Sequence, residues 1–410
     1  MLLIWTIALA SLLLMLLRPK GIPEYIWIGA GAVLLVIARL LPLPRAVHAL
    51  HEALDVCLFL IGMMLLAELA RHEGVFDWVA DLAVHHAKGS AARLFLWIYG
   101  AGVVVTALLS NDATAVVLTP AVLAAVRRAR VEPRPYLLAC ALIANAASFL
   151  LPISNPANLV IFGSHLPPLG SWMRSLLLPS IVSIAATYLC LRWLSRRTLR
   201  GTVSAVEDAV RLTPAGKLAL AGILLAAATL LASSAFELPL GLPTCIAGIV
   251  ALALVALRDR SAPRAALRHV SWSIIPLVAG LFMIVEALNL AGMLRATLAG
   301  LHWLAALPGG YGKLIGAFTV ALLSNGMNNL PVGLAGGTAL AQMHNPALLT
   351  HAVLIGVDLG PNLSVTGSLA TILWLIALRR DNAEITAWEF LKTGALVMPV
   401  SLLLTLLALR

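Results

Sequence analysis

Long apolar runs separated by short polar turns make up most of the 410-residue chain. An apolar stretch of about 17–25 residues is long enough to cross a bilayer as a helix. We predict a helix in each of ten runs, at about 2–17, 24–39, 52–70, 136–165, 171–191, 215–235, 240–257, 272–290, 348–378 and 390–409. The pattern therefore predicts an all-α integral membrane protein.

One pentapeptide, ALLSN, closes an apolar run at residues 107–111 and again at 321–325, 214 positions later. Ser-Asn at membrane depth must be satisfied by protein, cavity water or a ligand. We predict that each copy forms the tip of a re-entrant hairpin, over 91–126 and 313–343. For 91–126, two full spans joined by a tight outer turn would satisfy the flanking charges equally well.

Two further runs are too long for one span and carry polar breaks. Residues 154–158 read SNPAN inside the run 136–165, and residues 361–368 read PNLSVTGS inside the run 348–378. Proline removes a backbone donor and disfavours helix in the residue before it. We predict two discontinuous helices whose broken ends lie near the membrane midplane.

The second half of the chain repeats the first. We predict one repeat over 1–200, a cytoplasmic linker over 201–214 and a second repeat over 215–410, each with five spans and one hairpin. Because five is odd, the second repeat enters the membrane from the opposite side. Inverted-topology repeats with breaks at matching positions are typical of secondary transporters.

The net charge of +10 changes this picture only through its distribution. With residue 1 outside, the inner loops hold 22 of the 28 Lys and Arg residues. Such a bias is the positive-inside signal of a cell (inner) membrane protein. The basic excess predicts contact with anionic lipid rather than with nucleic acid.

The four interruptions supply hydroxyl and amide groups that both donate and accept hydrogen bonds. These candidate substrate-binding residues are Ser110, Asn111, Thr114, Ser154, Asn155, Asn158, Ser324, Asn325, Asn328, Asn329, Ser364, Thr366 and Ser368. No Arg, Lys or His occurs among them. A carboxylate substrate is ordinarily met by a cation, although half-helix N-termini alone can serve. The pattern favours a neutral substrate.

Four acidic residues are candidates for ion coupling, because an ionisable group inside the membrane indicates function by default. Asp112 follows the first ALLSN, and Asp358 precedes the second break. In the repeat they align with Gly326 and Ala146, so neither is duplicated. Glu68 and Glu286 are duplicated 218 positions apart, and their alternative role is a structural tie between span and hairpin.

The stretches LLSNGMNNLP (322–331), GVDLGPNLSVTGSLATILW (356–374) and SNDATAVVLTP (110–120) resemble the ArsB-type arsenite and antimonite efflux pumps of the ion transporter superfamily. The resemblance runs from about residue 52 to the C-terminus. It implies export of arsenite or antimonite in exchange for protons, an optional ArsA-type ATPase partner, and hairpin-bearing transport elements that move against a scaffold.

Two other functions compete with this hypothesis. One is a proton- or sodium-coupled carrier of carboxylates or inorganic anions with the same fold. The other is a membrane enzyme, although neither HExxH nor GxSxG is present. The four cysteines show no CxxC spacing and all lie in apolar runs. We therefore expect no resident metal and no cofactor.

Overall fold

The computed structural model describes residues 1–163, 166–204, 210–344, 346–381, 383 and 385–410. Helices account for 81% of it, and the described residues contain no strand beyond one antiparallel bridge between Ser90 and Thr202. Six helices are long and apolar enough to cross a membrane. The predicted all-helical membrane fold is therefore confirmed.

The helices before the linker follow the predicted apolar runs. They are α1 (Leu2–Leu17), α2 (Glu24–Ile37), α3 (Leu43–His72), α4 (Val75–His86), α5 (Ala91–Leu108), α6 (Thr119–Arg128), α7 (Arg134–Ala146), α8 (Pro156–Phe162) and α9 (Leu169–Leu194). A π-helical segment, Ala113–Leu118, leads directly into α6.

The helices after the linker repeat this order, and α12 with α13 takes the place of α3. They are α10 (Pro214–Ala235), α11 (Gly241–Ala256), α12 (Ala262–His269), α13 (Ile274–Leu290), α14 (Met293–Ala305), α15 (Tyr311–Met327), α16 (Asn329–Leu340), α17 (Ala347–Leu359), α18 (Leu369–Arg380) and α19 (Ala387–Ala408).

The ten predicted runs are all helical, but they differ in length. The helices long enough to span are α3, α5, α9, α10, α12–α13 taken together and α19. By contrast, α1, α2 and α11 have only 14 to 16 residues. The runs 136–165 and 348–378 are broken as predicted, into α7 and α8 and into α17 and α18; residues 164 and 165 lie outside the described residues.

The two halves pack on each other reciprocally. Helix α2 packs against α13, and its counterpart α11 packs against α3. The returning arm of the second hairpin, α16, packs against α8, while α18 packs against the π-helical segment and α6. Helix α9 packs against its own counterpart α19. Reciprocal contacts of this kind are expected for two similar units related by a twofold axis.

Paired glycines allow the closest of these approaches. A Cβ on Gly62 of α3 would lie 2.3 Å from the carbonyl oxygen of Thr244, and one on Gly280 of α13 would lie 2.8 Å from the Ile28 side chain. Both distances are too short for real contacts, so only glycine lets these helices meet at their observed spacing. The two glycines are counterparts in the repeat, and each contacts the second helix of the other half.

The start of the linker crosses the open end of the first hairpin. The Val203 N–H donates to the Gly89 carbonyl over 3.0 Å, and the Ser204 N–H donates to the Ala129 carbonyl over 3.1 Å. Gly89 precedes α5 and Ala129 follows α6, so the linker joins both ends of this hairpin. Residues 205–209 lie outside the described residues. The repeat boundaries and the inversion of the second repeat stay predictions.

Candidate transport site

The first hairpin turns at the first ALLSN, as predicted. Helix α5 ends at Leu108, and the Ser110 hydroxyl accepts the Ala113 N–H over 3.1 Å, which starts the returning arm. Thr114 on that arm lies 2.8 Å from the Thr106 hydroxyl on the outgoing arm. Ser110 and Asn111 are only 5% and 3% exposed. A tip buried in this way favours the re-entrant hairpin over two full spans with an outer turn.

The second hairpin turns three residues later than predicted. The second ALLSN lies inside α15, where the Ser324 hydroxyl donates to a carbonyl one turn earlier over 2.9 Å. The turn is made by Asn328, whose φ of 74° is rare for a residue with a side chain. Its side chain accepts the Leu330 N–H over 3.3 Å and caps α16, and Asn329 beside it is buried. The placement of the second tip at 321–325 was therefore wrong.

The first broken helix is held open by its own polar side chains. Asn155 caps α8 by accepting the Ala157 N–H over 3.0 Å. The Ser154 hydroxyl donates to the carbonyl of Ala107 over 3.3 Å, which ties the break to the first hairpin. Asn158 donates to the Ser148 carbonyl over 2.9 Å. These side chains replace the helical hydrogen bonds that the break removes.

The second broken helix is tied to its own hairpin by Asn325. Its Oδ1 accepts the N–H and the hydroxyl of Ser364 over 3.0 and 2.6 Å, and its Nδ2 donates to the Gly360 carbonyl over 2.9 Å. The Thr366 hydroxyl donates to the Asn325 carbonyl over 2.9 Å. Ser368 caps α18 as Asn155 caps α8.

A cavity opens at the first tip. Its lining includes Ser110 and Asp112, Glu68 on α3, and the first residues of α8 and α18, Pro156 and Leu369. Helix N-termini carry a partial positive charge and unpaired N–H groups. The cavity thus combines a hydroxyl, carboxylates and two half-helix N-termini, which is the arrangement by which transporters hold substrates. Ser324, Asn325 and Glu286 do not line it.

Of the acidic residues near this cavity, Asp112 differs from the others. Among the described residues, Glu68 pairs with Arg71 over 2.7 Å, and Glu24 pairs with Arg18 over 2.6 Å. Asp112 makes no ion pair within the described part of the chain. It is therefore the carboxylate of this cavity whose charge is not already matched by a cation.

The fourth candidate, Glu286, lies far from the tip. It pairs with Arg45 over 3.3 Å, which links α13 to α3. Both duplicated glutamates are thus engaged in ion pairs, and this geometry fits the structural alternative better than a coupling role.

Asp358 lies in a second, enclosed polar cluster between the two broken helices. Its two oxygens accept the Ser148 hydroxyl over 2.6 Å and the Asn155 Nδ2 over 2.8 Å. Asn145 donates to Asn362 Oδ1 over 3.0 Å in the same cluster. All five residues are at most 2% exposed. Asp358 is thus enclosed by groups from the other repeat.

Sequence reasoning missed Asn145, Ser148 and Asn362. Helices α7 and α17 run in register at an offset of 213, so Asp358 stands opposite Asn145 and not opposite Ala146. The signal lay in this pair: an Asn and an Asp at matching positions before two matching breaks. The predicted partner, Ala146, is one residue away from this position.

A larger cavity, of about 670 Å³, lies at the opposite end of α8. It is lined by Leu159 to Gly163, by Asp55 at the outer end of α3 and by Thr338 of α16. The N-terminal end of α8 borders the first cavity and its C-terminal part borders this one. This short helix therefore lies between the two cavities.

Comparison with known proteins fits this arrangement. A family model described as citrate transporter (CitMHS) matches residues 2–378. The chain belongs to this transporter family. It is therefore a multi-pass membrane transporter.

Full-length relatives carry more specific names. The chain is 29% identical to the arsenical pump membrane protein of Escherichia coli, covering 100% of this chain and 98% of that one. It is 28% identical to the protein of the same name from Yersinia enterocolitica, with the same coverage, and 24% identical to a putative arsenical pump membrane protein of Bacillus subtilis. The resemblance to ArsB-type proteins is confirmed.

The solved structure of the Alcanivorax borkumensis YdaH transporter is similar in fold. It superposes with a TM-score of 0.58 at 17% identity, covering 89% of this chain and 86% of that one. At this identity the likeness concerns the fold alone.

Proposed function

We propose that this transporter exports the trivalent metalloids arsenite and antimonite from the cytoplasm in exchange for protons. The observation that carries the proposal is the cavity at the first hairpin tip. Among the described residues, its lining contains no Lys, Arg or His, and its three carboxylates include the unpaired Asp112. The full-length relatives named as arsenical pumps support the same substrate class.

The substrate chemistry fits this lining. Arsenite near neutral pH is an uncharged trihydroxide, so it needs partners that accept and donate hydrogen bonds without a net positive charge. Ser110 and the ionised Asp112 supply acceptors, and the N-terminus of α18 at Leu369 supplies N–H donors. The other hydroxyl and amide residues of the breaks stay candidates for contacts in other states of the transport cycle.

Asp112 gives a route to exchange. When it is ionised, its carboxylate accepts hydrogen bonds from the substrate hydroxyls; when it is protonated, it loses much of that capacity. Protonation from outside then favours release of the substrate, and deprotonation inside favours loading. Proton and substrate therefore compete for one group, which is the requirement for exchange.

A citrate-like carrier is the second candidate, and the family description favours it. The two half-helix N-termini could hold a carboxylate without a cation. The unpaired carboxylate of Asp112 opposes a multiply charged anion, because like charges repel strongly where water is scarce. The absence of a lining cation among the described residues points the same way.

Everted membrane vesicles with an acidic interior separate the two candidates. We expect wild-type protein to accumulate arsenite or antimonite, but not citrate, when the pH gradient is imposed. Asp112→Asn keeps size but removes titration, and its amide, like the protonated acid, accepts fewer hydrogen bonds from the substrate. It should therefore bind antimonite more weakly than ionised wild type and with no pH dependence, in equilibrium binding to purified protein, and it should lose gradient-driven accumulation.

Gly326→Ala is the matched control, since Gly326 aligns with Asp112 and has open space around a Cβ. It should accumulate like wild type. Accumulation of citrate in place of metalloid would overturn the substrate. Unchanged pH-driven accumulation by Asp112→Asn would overturn the role of Asp112. An ArsA-type ATPase partner stays a prediction from the resemblance.

A further inference from the structure

The enclosed cluster around Asp358 contains a buried carboxylate beside two unpaired amide oxygens. We define it by six residues, each at most 2% exposed: Asn145, Ser148, Asn155, Asn158, Asp358 and Asn362. Ser148 donates its only hydroxyl hydrogen, and it lies within reach of both Asp358 and the Asn145 carbonyl. The side-chain oxygens of Asn145 and Asn158 are buried and have no hydrogen-bond partner in the part of the chain that the structure describes. The cluster is therefore short of positive charge or of a donor.

Leaving such groups unmatched is costly. A buried carboxylate without a cation loses favourable hydration, and each buried amide oxygen without a donor adds a desolvation penalty. Asp358 makes no ion pair within the described residues. A small cation at the carboxylate would supply the missing charge, and the free amide oxygens of the same cluster are candidate ligands for it.

Charged groups on the surrounding helices do not supply this charge. The helices packed on α17 are α7, α8, α15, α16 and α19. Their titratable residues are Arg134, Tyr136, Cys140, Tyr311, Lys313, Glu389 and Lys392, with His351 on α17 itself. Several of these have other partners: Arg134 pairs with Glu389, Lys313 donates to the Leu409 carbonyl, and Lys392 lies over the Trp388 ring.

We propose that the Asp358 cluster binds one monovalent cation, a proton or a sodium ion, and thereby controls the hydrogen bond that holds the capping residue of α8. Asn155 is the link: its Oδ1 caps α8, and its Nδ2 donates to Asp358. A cation at Asp358 competes with Asn155 for the carboxylate. Binding in the enclosed cluster is thus transmitted to the helix that separates the two cavities.

This inference rests on the proposed function in one respect: coupled transport needs a site that binds the coupling ion. The experiment that tests it uses no metalloid, so the two proposals can fail independently. In the proposed function, Asp112 borders the open cavity and binds either a proton or the substrate. Asp358 is enclosed between the repeats. The two carboxylates therefore have different roles and separable variants.

The test measures cation binding by purified protein in lipid nanodiscs without substrate. The apparent melting temperature is followed as sodium chloride replaces choline chloride, at one acidic and one alkaline pH. If the ion is sodium, it should raise the melting temperature with saturation at alkaline pH. If the ion is a proton, acidification alone should raise it, and sodium should add nothing.

Asp358→Asn should remove whichever response wild type shows. Asn145→Ala keeps the carboxylate but removes one proposed ligand, so we expect its midpoint to shift about tenfold, in sodium concentration or in proton concentration. Gly326→Ala, where an added Cβ meets open space, is the control and should respond like wild type. Hydrogen exchange at the α8 amides should become faster on cation binding, because Asn155 is released.

Three outcomes would overturn the proposal: no response of wild type to either ion, the wild-type response in Asp358→Asn, or an unchanged midpoint in Asn145→Ala. The last applies even where Asp358→Asn does not fold. None of them bears on metalloid export, which the vesicle assay tests separately.

Discussion

The two hairpins begin from the same pentapeptide but use it differently. In the first, Ser110 caps the returning arm and the chain turns inside ALLSN. In the second, Ser324 bonds back along α15, the helix continues, and Asn328 makes the turn with a strained backbone. The same residues therefore stand at the turn in one repeat and one turn before it in the other.

The asparagines of the two copies differ as well. Within the described residues, the Asn111 side chain accepts one hydrogen bond, from the N–H of its neighbour Asp112. Asn325 makes several hydrogen bonds with the broken helix of its own repeat. The first tip borders a cavity and the second is fastened to its break. The comparison supports our proposal that the first hairpin carries the exchange chemistry, whereas the second is fixed to the broken helix of its own repeat in this structure.

The largest loss of stability should come from a substitution in α16, the returning arm of the second hairpin. A Cβ on Gly337 in α16 would lie 2.3 Å from the Ile161 carbonyl oxygen, so Gly337→Ala must push α16 away from α8. We expect a loss of about 3 kcal/mol and little export, because the clash is with backbone. Gly336→Ala is the control: its Cβ meets only the end of the Val353 side chain, at 3.3 Å. Melting temperatures of the two variants in detergent provide the measurement, and equal values would show that α8 and α16 need not pack closely.

Asn325→Ala should cause the next largest loss of stability. Removing this side chain leaves the Ser364 N–H and hydroxyl and the Gly360 carbonyl without their partner. Because water can reach these half-buried groups, we expect a total loss of about 1–3 kcal/mol. Asn111→Ala loses one local bond and should cost less than half as much. The melting temperatures of both variants, measured in the same lipid, test this difference in stability. A larger loss in Asn111→Ala would reverse the assignment of the fixed hairpin.

Substitutions of the two serines should differ less in their effect on stability than those of the two asparagines. Ser110→Ala removes a helix cap, which is worth about 1 kcal/mol, whereas Ser324→Ala removes a hydroxyl that bonds back within its own helix and should cost under about 0.5 kcal/mol. Because Ser110 also lines the cavity, its variant should also lower the affinity for antimonite. Equal stability and equal affinity in the two variants would mean that both tips are used alike.

The smallest effect concerns the cysteines. Arsenic(III) favours soft thiolate ligands, so a thiol site is the obvious rival to the hydroxyl and amide site. Cys57, Cys140, Cys190 and Cys245 are all free, and none lines the cavity at the first tip. A variant with all four replaced by Ala should keep most of the wild-type export. Loss of export in a well-folded cysteine-free protein would restore the thiol site.

Much of the fold could be predicted because it follows from local pattern and length. The apolar runs, the break at Pro156 and the basic inner loops each rest on the cost of placing polar groups in lipid. The hairpin tips were predictable only to within one turn. Whether ALLSN ends a helix depends on which later residue can cap the next one, and Ser110 does so in one copy and Asn328 in the other.

The sequence by itself determined the membrane class, the duplicated order of elements and the polar residues available at four breaks. Only the tertiary structure decided which of them meet. Asp358 and Asn155 are 203 positions apart and become partners because α17 of one repeat ends against the broken helix of the other. Asp112 and Glu68 both border one cavity, but Arg71 pairs only with Glu68. Burial and charge pairing are properties of neighbours in space, and neither the spacing nor the type of a residue along the chain fixes them.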